Sequence, residues 1–225
     1  MAGSAATLAT AYSIDQNKTE PTNTDLQALN KEDINSFDRR WAGTWNPEAR
    51  RISDAALLGA YAVPLGLFST HKDYKTIALL YLETQLVTLS GTNLAKAMVD
   101  RYRPYAYGSD APDSRLYEKD TKRSFFSGHA AHITSNLIFS AKVWSDYHPD
   151  QDNTWVWTAA ITASALASWQ RVRAGWHYPS DVIAGMLWGG LVGWGVPEWK
   201  MSNNNIRYHF SIHSGTISSN IFYYF

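Results

Sequence analysis

From Tyr74 to Arg101 the chain carries Leu79, Leu82, Leu86 and Leu89 at helical spacing along one face. Ile77, Leu80 and Val87 widen the apolar surface beyond a single stripe, so the segment reads as a helix buried on most sides. It has to stop before Pro104, because the residue ahead of a proline is pushed out of the helical region. Four further segments are helix-like: Ser53 to Phe68, with Pro64 expected to kink it, Gly128 to Asp146, Thr154 to Gln170, and Pro179 to just before Pro197. Proline in the first turn suits Pro179, since its missing N–H is not needed there. The expected fold class is therefore all-α, a helical bundle of about five core helices. A looser apolar spacing (Leu26, Leu29, Ile34, Phe37, Trp41, Trp45) adds an N-terminal helical segment. The tail alternates from Ile206 to Phe225 about Ser214-Gly215, which predicts a short C-terminal β-hairpin. The chain thus divides into a flexible arm over 1–24, polar and without periodicity, a helical domain over 25–204, and the tail over 205–225.

With 225 residues the chain is long enough for one substantial core, and its 10 Trp and 13 Tyr make much of the burial aromatic. A formal net charge of zero argues against a nucleic-acid partner, whose binding depends on counterion release. The absence of cysteine excludes disulfides and cysteine-ligated metals. Met1 to Ser13 has neither the basic start nor the apolar centre of a signal peptide. The uncharged stretches Ala55–Thr70, Asn153–Gln170 and Val182–Pro197 approach the lower limit for spanning a membrane, about 18 to 20 residues, but are diluted by Ser, Thr, Asn and Gly. With a mean hydropathy of -0.31 for the whole chain, they are expected to be buried core helices.

The candidate site lies where these helices end. Ser124-Phe125-Phe126-Ser127-Gly128-His129 follows a charged loop and leads into the third core helix, with Ser127 as N-cap and Gly128 allowing a ligand near the backbone. The unpaired N–H groups of such a helix start attract anions. An ordinary cap beside a surface histidine has the same local pattern. Upstream, Lys96 and Arg103 are two helical turns apart at the exit of the second helix, and Arg171 ends the fourth. Three cations suit the three equatorial oxygens of a phosphoryl group, and each taken alone also suits a solvated helix end. His177 and Asp181 are four apart at the start of the fifth helix. A carboxylate there can fix the imidazole tautomer and leave the other nitrogen free to attack, or can simply cap the helix. His132, one turn beyond His129, lacks companions with ligand spacing and reads as a helix-face histidine.

Taken together, Lys96…Arg103-Pro104, Ser127-Gly128-His129 and Arg171…His177…Asp181 resemble the three-part signature of the type 2 phosphatidic acid phosphatase superfamily, which also includes bacterial class A acid phosphatases and vanadium-dependent haloperoxidases. Two positions depart from that pattern: Phe126 stands where the family has Pro, and Gln170 where it has Ser. The resemblance implies that His177 is the nucleophile, Asp181 its orienting carboxylate and His129 the acid and then base. It implies phosphate binding by Lys96, Arg103, Arg171 and the N–H groups near Ser127 and Gly128. The activity it implies is that of a metal-independent phosphatase without cofactor, acting on a phosphomonoester or diphosphate, a lipid phosphate slightly ahead of small soluble esters. The alternatives are a vanadate-dependent haloperoxidase, generally a much longer chain, and a non-catalytic membrane-associated binding protein. Expected partners are a phosphorylated small molecule or lipid and a peripheral membrane contact, with a periplasmic or membrane-associated location.

Overall fold

The computed structural model describes residues 2–68, 72–202, 206–213 and 216–223. Among them the α-helices are α1 (Ala2–Gln16), α2 (Asn23–Gln27), α3 (Ser36–Arg39), α4 (Pro47–Phe68), α5 (Tyr74–Met98), α6 (Asp113–Leu116), α7 (Gly128–Tyr147), α8 (Thr154–Arg173) and α9 (Pro179–Ser202), with 3₁₀ turns at Lys31–Asp33, Pro104–Tyr107 and Lys119–Lys122. Five long helices, α4, α5, α7, α8 and α9, form the expected bundle. Helix α7 is its axis. Ala130, Ile133, Phe139 and Val143 are wholly or almost wholly buried against α4, α5, α8 and α9, each large one contributing about 1.5–3 kcal/mol.

Helices α7 and α9 approach unusually closely. Side chains added at Gly185, Gly189 and Gly193 would collide with the carbonyls of Ser127, Ala131 and Ser135, one turn apart along α7. This seam fixes the start of α9, and so His177 and Asp181, against the start of α7 and His129. At the end of α8, Gly175 takes a left-handed conformation (φ 76°), and its N–H closes on the Val172 carbonyl at 2.9 Å. That stop turns the chain back, so that the N–H of His177 lies 3.3 Å from the carbonyl of Arg171.

Several boundaries differ from expectation. Helix α4 starts at Pro47, not near Ser53; Asn46 Oδ1 caps it by accepting the Ala49 N–H at 3.0 Å. Pro197, expected to lie beyond the last helix, falls inside α9, whereas Pro64 lies within α4 where it was expected. The segment 1–24, expected as a flexible arm, contains α1, which lies along α5 and is tied down by Asp15–Arg123 (2.6 Å) and Lys18–Asp100 (2.8 Å). Its alanine-rich sequence has almost no amphipathic contrast, so periodicity gave no sign of it.

The fold class needs one correction. The domain is all-helical, and the expected C-terminal β-hairpin is not an element of it. Beyond Ser202 the backbone of Ile206–His213 and Thr216–Tyr223 runs extended and antiparallel, and a two-stranded ribbon on its own is at best marginally stable in water. The expected Ser214-Gly215 turn lies outside the described residues.

The uncharged stretches are not buried all round either. Leu58 of α4 is 72% exposed and Leu187 of α9 70% exposed, and Leu65, Ile161, Leu166, Ile183 and Leu191 join them on the outer faces of α4, α8 and α9. No helix among the described residues is long and apolar enough to cross a membrane.

Candidate active site

After α5 the chain runs beside the stretch leading to α7. Arg103 N–H donates to the Thr121 carbonyl (2.9 Å) and Ser124 N–H to that of Arg101 (3.0 Å). The two segments so aligned bring Arg103 and Ser124 to the mouth of the bundle. Arg103 is buried and every edge of its guanidinium is engaged. Nε donates to the Asp120 carbonyl at 2.8 Å, Nη2 to both Asp120 carboxylate oxygens at 2.9 and 2.8 Å, and Nη1 to the Trp176 carbonyl at 2.8 Å. Burial alone would raise the Asp120 carboxyl, but Arg103 and Lys96 hold it down at about 2.

Arg171, in the last turn of α8, directs Nη1 to Ser53 Oγ and Asp54 Oδ1, both at 3.1 Å, while its buried Nε has no partner among the described residues. Lys96 donates to the Arg123 carbonyl at 2.8 Å and is pushed down to about 7 by burial and then by Arg103. The Trp176 ring makes cation–π contact with both guanidinium groups, its centroid 4.7 Å from that of Arg103 and 4.8 Å from that of Arg171.

His177 is buried beneath these cations. Its Nδ1 faces the Ser124 carbonyl at 2.7 Å, an acceptor only, so Nδ1 carries the proton. Nε2 then presents its lone pair, 3.1 Å from Arg103 Nη1. Burial first, and then Arg103, Lys96 and Arg171, lower the pKa of His177 well below the ordinary value, which keeps the ring neutral.

Asp181 does not accept directly from the imidazole as expected. Its Oδ2 is 3.8 Å from Nδ1, beyond hydrogen-bond reach, and instead accepts from Ser124 Oγ at 2.6 Å and from the Tyr178 N–H at 2.9 Å. Oδ1 pairs with Arg101, which also binds Asp38 at 2.8 Å. Asp38, fully buried on α3, accepts from Ser180 Oγ at 2.5 Å. Asp181 and His177 are thus linked through Ser124, whose hydroxyl donates to the carboxylate and whose carbonyl accepts from the ring.

Ser127 caps α7 as expected, its Oγ accepting the Ala130 N–H at 3.3 Å. Its own N–H is taken by the Asp181 carbonyl at 3.0 Å, which leaves the N–H groups of Gly128 and His129 at the helix start for an anion. A side chain at Gly128 would press on the Thr92 methyl at 3.1 Å, so close packing on α5 also requires glycine there. His129 Nε2 lies 2.9 Å from Asp54 Oδ1. Burial and then Arg171 push its pKa down to about 4, with Asp54 opposing them. His132 bonds Gln85 at 3.2 Å, as a helix-face histidine would.

All eight residues singled out from sequence therefore gather around one mouth of the bundle: Lys96, Arg103, Ser127, Gly128, His129, Arg171, His177 and Asp181. Lys96, Arg171, His129 and His177 are all depressed, first by burial and then by neighbouring cations, of which Arg103 acts on all four. Asp120, Asp54, Asp38, Arg101 and the Ser124 carbonyl escaped the sequence reading. Of these, only Arg101 carried a signal, its place two residues before Arg103.

A family model described as the PAP2 superfamily matches residues 76–205. The chain belongs to the PAP2 superfamily. It is 31% identical over 103 residues to a protein named undecaprenyl-diphosphatase from Sulfolobus acidocaldarius, a match covering 44% of this chain and 43% of that protein's length. Its fold is that of the crystal structure described as the first transmembrane PAP2 type phosphatidylglycerolphosphate phosphatase from Bacillus subtilis. The two superpose with a TM-score of 0.52 at 19% identity, over 90% of this chain and 98% of the other.

Proposed function

We propose that this PAP2 protein is a phosphoric ester hydrolase that removes phosphate from a lipid phosphomonoester or diphosphate through a phosphohistidine, without a metal ion. The observation that carries this reading is the state of His177: neutral, with its proton held on Nδ1 by the Ser124 carbonyl and its Nε2 lone pair aimed at the cation cluster. In the first step Nε2 attacks phosphorus, the bond to the leaving oxygen breaks, and His129 gives its proton to that oxygen. In the second, water attacks phosphorus, its proton passes to His129, and the P–N bond breaks to release inorganic phosphate. Lys96, Arg171 and the helix-start N–H groups would hold the equatorial oxygens throughout, with the Arg103 charge beside Nε2 adding to them, the dominant contribution in phosphoryl transfer.

The lipid preference is supported by the diphosphatase name of the curated relative and by the exposed leucines and isoleucines of α4, α8 and α9. That face suits contact with a lipid surface, the site facing outward on the exported side of the membrane, as the resemblance implies. The test is phosphate release from a panel of lipid phosphates, lipid diphosphates and soluble phosphomonoesters, with and without chelator. Turnover of a lipid substrate unaffected by chelator is expected. Activity abolished by chelator and restored by magnesium or zinc would contradict the proposed chemistry.

A further inference from the structure

The family pattern leaves the leaving-group histidine without a named partner, whereas the structure gives it one. Asp54 lies in the second turn of α4, outside every motif, and its Oδ1 stands between His129 Nε2 (2.9 Å) on α7 and Arg171 Nη1 (3.1 Å) on α8. We infer that Asp54 is a positioning residue for the acid: one carboxylate oxygen orients the His129 imidazole and lets it hold a proton beside the Arg171 guanidinium. The inference rests on the reading that His129 protonates the leaving oxygen.

Two features argue that Asp54 supports the site rather than occupying the place of the substrate. It engages only the Nη1 edge of Arg171, which Ser53 Oγ shares at 3.1 Å, while the buried Nε has no partner among the described residues. That edge remains available to a phosphoryl oxygen. The charges around His129 also demand an anion: Arg171 from α8 and Arg103 from the loop after α5 both act on it, the neighbouring His177 is neutral, and Asp54 supplies the opposing negative charge. A protonated imidazole beside Arg171 in a half-buried site is unfavourable unless a carboxylate lies between them. Arg50, whose Nε is 3.6 Å from Asp54 Oδ2, steadies the carboxylate from the preceding turn.

The experiment uses the full chain and its Asp54→Asn and Asp54→Glu variants. NMR of ¹⁵N-labelled histidine reads His129 directly. In the wild type His129 is expected to be half protonated near pH 4. Loss of the facing charge should move the midpoint of Asp54→Asn down by about one to two pH units, leaving it neutral there, and Asp54→Glu should restore it. In turnover, kcat of Asp54→Asn for an alkyl phosphate should fall about 10–100-fold with KM nearly unchanged, and much less for p-nitrophenyl phosphate, whose leaving group needs no proton. Added to His129→Ala, the same change should cost less than about threefold, because the two act through one proton.

An unchanged His129 midpoint, or equal losses for both leaving groups, would overturn the inference. So would tighter inhibition of Asp54→Asn by vanadate, which would make the carboxylate a plug in the phosphate site. Should the wild type hydrolyse nothing in the panel, the proposed function fails and the titration alone decides the role of Asp54.

Discussion

Removing the Asp120 charge tests whether the cation cluster is held as the geometry implies. Asp120 grips the buried Arg103 with both carboxylate oxygens, and its carboxyl lies at about 2 instead of 3.8. A carboxylate depressed on folding stabilises the protein above its unfolded value, and that contribution is lost as pH falls from about 4 to about 2. Unscreened, it amounts to about 2 kcal/mol. Because the side chain of Asp120 is 42% exposed, screening brings it nearer 1 kcal/mol. Asp120→Asn should therefore lower Tm by about 2–4 °C at pH 7, while losing less further stability than the wild type between pH 4 and pH 2. Paired thermal melts over that range read the difference. Kinetics supply a second readout: without Asp120 both Arg103 and Lys96 lose a facing anion, so KM should rise more than kcat falls. Identical melting of the two proteins at pH 7, or parallel losses in acid, would refute the argument.

The same geometry predicts three further outcomes. Lys96 releases its proton as pH rises through about 7, so kcat/KM should fall on that limb, and Lys96→Arg should move the fall to higher pH; a pH profile of both proteins checks this. Gly189→Leu should destabilise by about 3 kcal/mol or more, because the side chain must enter the Ala131 backbone at the α7–α9 seam; urea denaturation measures it. Leu58→Asp combined with Leu187→Asp should abolish flotation with anionic lipid vesicles while leaving hydrolysis of a soluble ester intact.

Helical periodicity showed the bundle because the leucines of α5 and the apolar runs of α7, α8 and α9 repeat at its spacing, and proline and Ser127 marked where helices stop or start. It missed α1, whose alanines have no face, and placed the start of α4 late, at Ser53, whose side chain turns inward to Arg171 from within the helix. The alternation in the tail was real as a pattern, but two strands alone make a ribbon that is marginal in water, so it added no sheet to the domain. The candidate site was legible in its cations and histidines, since their spacing along the chain is fixed by helix ends. Their carboxylate supports were not. Asp54, Asp38 and Asp120 come from three separate stretches and meet the cluster only after folding. The direct Asp181–His177 hydrogen bond expected from their spacing is absent; Ser124 stands between them, its hydroxyl on the carboxylate and its carbonyl on the ring.

The central claim is that phosphorus is transferred to His177 and departs from there. Acid-sensitive phosphohistidine survives an alkaline quench, so the direct measurement is rapid mixing with an activated aryl phosphate labelled with ³²P, alkaline quench, and mapping of the labelled peptide. The account predicts label on His177 in the wild type, none in His177→Ala, and accumulated label in His129→Ala, which can form the intermediate with a good leaving group but lacks the base for its hydrolysis. Label on His129, or wild-type labelling of His177→Ala, would contradict it.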